Sequence, residues 1–128
     1  MNERRPLVLI VDDNDDHRRM YTTVLRSAGF RVIDAPDGAS GISQARTMRP
    51  DVILLDLYMP GLDGWQACRQ LKTHVETTLI PVIALTGLVF EDALVEALES
   101  GCQRFFAKGA DPERIVQTVR EVLAGGPG

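Results

Sequence analysis

Five side chains in this sequence carry chemistry that goes together: the carboxyls of Asp12, Asp13 and Asp56, the hydroxyl of Thr86 and the amine of Lys108. Each stands at the end of a short apolar run. Leu7 to Val11 precedes the first two, Val52 to Leu55 precedes Asp56, Leu79 to Leu85 precedes Thr86, and Arg104 to Ala107 precedes Lys108. Two carboxylates about 4 Å apart repel by about 4 kcal/mol at an effective dielectric near 20, so three gathered in one place need a cation. Hard oxygen donors suit Mg²⁺ or Mn²⁺, which keep several waters. Lys108 adds one positive charge. Such a site has room for one further anionic ligand, a phosphoryl oxygen, and the Thr86 hydroxyl can donate to another. A carboxylate so placed is a nucleophile toward phosphorus and yields an aspartyl phosphate. The metal and the lysine then stabilise charge on the transferred group.

These residues meet only if the apolar runs are neighbouring strands. Leu7-Val-Leu-Ile-Val11 and Val52-Ile-Leu-Leu55 read as strands buried on both faces, as in a parallel sheet covered by helices. Phe30 to Asp34 alternates more and reads as a strand nearer an edge. Leu79 to Leu85, with Pro81 near its start, and Arg104 to Ala107 read as the fourth and fifth strands. Helical spacing fills the intervals. Asn14 caps a first helix carrying Met20, Val24, Leu25 and Ala28 inward and His17, Arg18, Arg19 and Arg26 outside, ended by Gly29. Ala39 to Met48, Trp65 to Lys72 and Glu91 to Ser100 follow. A last helix is capped by Asp111, with Pro112 at its first position, and runs to about Ala124. Five strands alternating with five helices imply an α/β fold, a doubly wound parallel sheet in three layers. All strand ends that carry the five polar residues then lie on one edge, where open α/β sheets place their ligands.

The 128 residues suit one domain with a real core. A net charge of −4 argues against a nucleic-acid-binding surface, and no apolar run reaches the length of a membrane span. Met1 to Arg5 is polar, and Leu7 to Val11 stops at two aspartates, so no signal-peptide pattern is present and the chain reads as cytoplasmic. Cys68 and Cys102 form no CxxC pair and read as small buried residues in a reducing compartment. His17 and His74 read as surface residues, and Trp65 as packing near the site. Taken alone, Asp12 and Asp13 could merely cap the following helix, and Asp56 could be a turn residue before Pro60-Gly61.

The combination Leu9-Ile-Val-Asp12-Asp13, Leu54-Leu-Asp56-Leu-Tyr-Met-Pro60-Gly61 with Asp63-Gly64, Val82-Ile-Ala-Leu-Thr86 and Phe105-Phe-Ala-Lys108 resembles the receiver domain of two-component response regulators. The likeness runs from about Leu7 to Leu123. It implies a flavodoxin-like strand order 2-1-3-4-5, the order already known for a chemotaxis member of the family. It implies Asp56 as phosphoacceptor, and Asp13 and Asp56 as side-chain ligands of Mg²⁺. Asp12 would act through a metal-bound water, and the Tyr58 carbonyl would complete the set. Thr86 matches the hydroxyl that turns to the phosphoryl group, Phe105 the aromatic switch that follows it, and Lys108 the lysine that pairs with the phosphate. The donor would be a histidine kinase or histidine phosphotransfer protein. The output would be a downstream protein or output domain, reached through the face of the fourth helix, fifth strand and last helix. The domain would cover residues 1–124, with 125–128 a flexible tail or linker stub. It would be a signalling module, catalysing only its own phosphorylation and dephosphorylation.

Three positions depart from the family pattern. Gly109 replaces the usual proline after Lys108, Gly87 a common alanine after Thr86, and Phe105 a common tyrosine. The resemblance also places Tyr58 and Leu88, both large here, at the positions that flank the pocket in the family, which implies slow loss of the phosphoryl group to water. Phe90, Leu94, Phe105 and Ile115 could form a partner patch, at least half of it ordinary core. Two other readings compete. One is a degenerate receiver that binds partners without phosphorylation. The other is an aspartyl-phosphate phosphatase of the haloacid dehalogenase type, which wants an aspartate where Tyr58 stands.

Overall fold

The computed structural model describes residues 5–87 and 99–125. Five strands, β1 (Leu7–Val11), β2 (Arg31–Ala35), β3 (Val52–Asp56), β4 (Val82–Thr86) and β5 (Arg104–Ala107), form one sheet in the order β2-β1-β3-β4-β5. Every neighbouring pair is parallel. Among the described residues four α-helices lie between and after them: α1 (Asp15–Ser27), α2 (Gly38–Met48), α3 (Gly64–Thr73) and α4 (Arg114–Leu123). The helix expected over Glu91 to Ser100 falls outside the described residues except at its end.

Strands β1, β3 and β4 are buried along their whole length, because both faces of a parallel sheet are covered. Two cores result. Leu9, Val11, Ile53, Leu55 and Ala84 point to one face and pack with α2 and α3 through Ile42, Ala45, Ala67, Cys68 and Leu71. Val8, Ile10, Leu54, Ile83 and Leu85 point to the other and pack with α1 and α4 through Tyr21, Leu25, Ile115 and Val119. The strict alternation along each strand is the period-two geometry of a pleated sheet. At Gly41 the α2 backbone comes so close to β1 that an added Cβ would lie 2.7 Å from Val11 Cγ2.

Several boundaries differ from expectation. β2 starts one residue later, at Arg31, whose amide donates to the Pro6 carbonyl. β4 begins at Val82 and not Leu79, and Thr86 is its last residue. The Ile80 amide instead donates to Thr77, and the Lys72 amine caps the Ile80 carbonyl at 2.7 Å. Pro81 has no amide to donate, and Leu79 is 92% exposed. The last helix begins at Arg114 because the turn before it is tighter: Arg114 donates to Asp111 and Ile115 to Pro112, three residues back. Asp111 is therefore not the N-cap: Glu113 stands there without a side-chain cap bond, and the Asp111 carboxylate accepts from the Glu113 amide at 3.1 Å within the preceding turn. Asn14 caps α1 as expected, with its side chain accepting from His17. Ile115 is fully buried, so it belongs to the core and to no surface patch. Phe90 and Leu94 lie outside the described residues.

Candidate functional site

The five polar residues converge on the carboxyl edge of the sheet. Asp12 follows β1 directly, Asp56 is the last residue of β3, Thr86 the last of β4, and Lys108 follows β5. Asp12 is completely buried, Asp56 is 3% exposed and Thr86 is buried, whereas Asp13 is exposed. One carboxylate oxygen from each of Asp12, Asp13 and Asp56 lies within 4.8 Å of the others. The Lys108 amine bridges the two buried acids, 2.9 Å from Asp12 Oδ2 and 3.1 Å from Asp56 Oδ2. The backbone fixes both ends of this bridge. The Lys108 amide donates to the Thr86 carbonyl at 2.9 Å, and the Asp12 amide to the Ala35 carbonyl at 3.2 Å.

Loop amides hold the acids in place. Asp12 Oδ1 accepts from the Asn14 amide at 2.9 Å, and Asp56 Oδ1 from the Tyr58 amide at 3.1 Å. After Asp56 the chain turns through Gly61, at positive φ, into Asp63. Asp63 and Gln66 form a reciprocal capping box at the start of α3. Gly64 then passes so near the loop after Asp56 that an added Cβ would lie 2.5 Å from Leu57 Cα. Its amide donates to the Leu57 carbonyl at 3.0 Å. Tyr58 is 42% exposed and stacks edge-on against Trp65, with ring centroids 5.0 Å apart. Trp65 also packs on the core beneath, as expected of it.

Charge is unevenly balanced. Burial pushes Asp56 up to about 7; Lys108 pulls it down, Asp12 pushes it further up, and bonds from Lys108 and Tyr58 pull it down. Burial works against the charge on Lys108, but the two carboxylates outweigh it and its pKa lies above the ordinary lysine value. One lysine therefore does not neutralise the pocket. Asp12 Oδ2 is buried, and the Lys108 amine at 2.9 Å is the partner it meets. Three oxygen donors with one exposed member, together with excess negative charge, fit a small hard divalent cation.

Gly109 takes neither unusual conformation open to it. Among the described residues no peptide bond is cis, and Gly109 does not adopt positive φ. The turn closes by a hydrogen bond that the Ala110 amide donates to the Ala107 carbonyl at 3.0 Å. Lys108 is aimed by β5 and by the two acids. Phe105, on β5, is half-buried against the α2–α3 core. Leu88 lies outside the described residues.

Three residues matter more here than their sequence suggested. Arg18 does not lie outside: its guanidinium donates to the Asp12 carbonyl at 2.8 Å while pairing with Asp34 at 3.0 Å and with Asp15. His17 lines a cleft of about 370 Å³ over the site together with Asp13, Asn14, Asp56, Tyr58, Gly87 and Lys108, and its Nδ1 is buried without a hydrogen bond. Tyr21 is fully buried, its ring edge-on to Phe106 at 6.2 Å and its hydroxyl without a partner. Burial raises its pKa; Lys108 opposes that, and Asp12 and Asp56 add to it. The i, i+4 series His17, Tyr21, Leu25 is the sequence signal for this face.

Comparison with known proteins places these features in context. The family model described as response regulator receiver domain matches residues 8–120. Protein PilH of Pseudomonas aeruginosa is 40% identical over 118 residues, covering 92% of this chain and 98% of PilH. The DNA-binding response regulator MtrA of Mycolicibacterium smegmatis is 35% identical over 123 residues, and the chain spans 53% of its length. A putative response regulator from Chloroflexus aurantiacus superposes with a TM-score of 0.89 at 32% identity, covering 94% of this chain and 99% of that one. The chemotaxis protein CheY4 of Vibrio cholerae superposes with a TM-score of 0.88 at 28% identity, covering 92% and 98%.

Proposed function

Because the chain belongs to the response regulator receiver domain family, we propose that it is a cytoplasmic phosphoacceptor switch in which Asp56 receives a phosphoryl group. The donor is a histidine kinase or histidine phosphotransfer protein, and small acyl phosphates substitute for it. The observation that carries this reading is the bridge of Lys108 across Asp56 and Asp12, beside the third carboxylate of Asp13.

In the proposed step an Asp56 carboxylate oxygen attacks phosphorus, and the bond from phosphorus to the donor atom breaks with its electron pair leaving on the donor. Asp13, Asp56 and the Tyr58 carbonyl would hold Mg²⁺, or Mn²⁺, with Asp12 reaching it through water. When bound, that ion supplies positive charge against the phosphoryl oxygens. Lys108 leaves its two carboxylate partners to meet the incoming phosphoryl oxygens. The Thr86 hydroxyl donates to another of them, and Phe105 follows Thr86 inward. This biases a two-state equilibrium of the surface around β5 and α4 toward a downstream protein or output domain. The chain catalyses only its own phosphorylation and dephosphorylation.

Acetyl phosphate with Mg²⁺, followed by intact mass, tests the reading. One added phosphoryl group, absent in Asp56→Asn and after chelation, is the expected outcome. No adduct from acetyl phosphate or from any phosphorylated kinase would leave the degenerate-receiver reading in its place.

A further inference from the structure

Behind the sheet, remote from the acidic edge, two thiols meet. Cys68 on α3 and Cys102, in the segment that enters β5, are 34 residues apart in sequence, yet their sulfurs lie 3.6 Å apart. Both are buried and both are free. At that separation either thiol can share its proton with the other sulfur. A cation stands beside the pair. Lys72, one turn after Cys68 on α3, runs its stem against Gly101, where an added Cβ would lie 2.9 Å from Lys72 Cγ. Gly101 adopts φ +109, a conformation that suits glycine and lets the chain turn there into Cys102. The Lys72 amine is held by the carbonyls of Ile80 at 2.7 Å and Thr78 at 3.3 Å. The Cys68 thiol is lowered below its ordinary value, first by the bond from Cys102 and then by the charges of Lys72 and Arg69 against burial. The Cys102 thiol is raised, chiefly by its bond to Cys68 and by burial. The two thiols thus differ in role, one suited to attack and the other to resolve.

We propose that Cys68 and Cys102 form a built disulfide site, oxidised by a peroxide and reversed by thiol reductants. An S–S bond is about 2 Å long, so the sulfurs need close by only about 1.5 Å. The Cys68 thiolate attacks one peroxide oxygen, the O–O bond breaks, and hydroxide leaves with Cys68 as sulfenic acid. The Cys102 sulfur then attacks the Cys68 sulfur, the S–O bond breaks, and a second hydroxide leaves. The two thiol protons convert both hydroxides to water. Two thiols are oxidised by two electrons in total and the peroxide is reduced by two. The bond would tie α3 to the entry of β5, the strand that carries Phe105 and leads to Lys108.

The test uses the whole chain, reduced and desalted, exposed to hydrogen peroxide in native buffer and, in parallel, in urea. Samples are quenched with an alkylating agent in denaturant and read by intact mass and peptide mapping. The native chain should lose two hydrogens, resist alkylation at both cysteines, remain monomeric without reductant, and recover both thiols with dithiothreitol. Its cross-link should form at least tenfold faster than in urea, because the unfolded chain holds the two thiols at only millimolar effective concentration. Lys72→Met, which keeps the stem and removes the charge, should slow the native reaction several-fold. Cys68→Ser and Cys102→Ser should each abolish the product, and the mapping of the unaltered chain decides the matter if either fails to fold. Both thiols still alkylated, a cross-link no faster folded than unfolded, or products confined to separate oxyacids or intermolecular dimers would overturn the proposal. None of these readouts depends on Asp56.

Discussion

Replacing Asp56 by asparagine should make the metal-free protein more stable, by an amount that grows with pH. In the folded state burial and Asp12 outweigh Lys108 and hold Asp56 at about 7, against an ordinary value of 3.8. At about 1.4 kcal/mol per factor of ten in proton affinity, ionising Asp56 costs the folded state about 4 kcal/mol once complete. The sign follows from proton binding. Between pH 3.8 and about 7 the folded state holds the Asp56 proton while the unfolded chain has lost it. Stability therefore falls as pH rises through this window, the cost being absent below it and full above it. Asparagine keeps the shape without the charge. In urea denaturation with chelator present, the advantage of Asp56→Asn over the unaltered chain should grow by about 3 kcal/mol from about pH 5 to about pH 8. Titrating groups away from the pocket are common to both proteins and cancel, and Lys108, which Asp56 helps to raise, titrates above this window. If Mg²⁺ occupies the acidic cluster as proposed, it should then narrow the gap at pH 8, since a ligand of the folded unaltered chain stabilises it by mass action, about 2.7 kcal/mol at a hundredfold excess over its dissociation constant. A difference that stays flat or shrinks as pH rises would refute the claim that the pocket carries uncompensated negative charge.

Other perturbations give separate checks. Tyr58→Ala combined with Leu88→Ala should shorten the life of the phosphoryl group on Asp56, measured by loss of label after donor removal; an unchanged or longer half-life would count against shielding by these side chains. Gly64→Ala should destabilise the fold by about 1–3 kcal/mol in urea melts, because its methyl meets Leu57 in the loop behind Asp56, and it should slow phosphorylation by acetyl phosphate. Gly109→Ala should stabilise by about 0.4–1 kcal/mol, since the site has open space and no positive φ; destabilisation in the same melts would show that the turn after Lys108 needs glycine.

Much of the site was legible because it consists of strand ends. An apolar run that stops at a polar residue marks both a strand and its edge, and parallel strands put all such edges together. Asp12, Asp56, Thr86 and Lys108 were found in that way. What strand ends do not reveal is the layer behind them. The charge of Arg18 points to solvent, yet its long stem lets the guanidinium reach the Asp12 carbonyl. Tyr21 carries a hydroxyl that masks an apolar ring at the right helical spacing. Hydropathy places Leu79 and Ile80 in β4 because it cannot see that Thr77, buried with its hydroxyl on the Leu71 carbonyl, closes α3 into a turn there. The thiol pair was invisible for another reason: a separation of 34 residues carries no periodicity, and only the packing of α3 against the entry of β5 brings the sulfurs together.

The missing proline after Lys108 looks, in sequence, like the place where the site should be weakest. The structure locates the restraint elsewhere. The Lys108 amide is fixed to the Thr86 carbonyl, which couples the lysine to the last residue of β4. Its amine is fixed by two buried carboxylates that come from two further strands. A proline would stiffen the chain after the lysine, whereas these contacts hold it from before and from its tip. The same contacts set a cost. In the proposed transfer the Lys108 amine leaves both Asp12 and Asp56, and it leaves behind buried negative charge that the pocket tolerates poorly. The cation that the acidic cluster would hold and the lysine that answers the phosphate are therefore coupled. Charge added by the first would free the second, so in the proposed transfer the metal would release Lys108 for the phosphoryl group, and without it Lys108 would stay on its carboxylates.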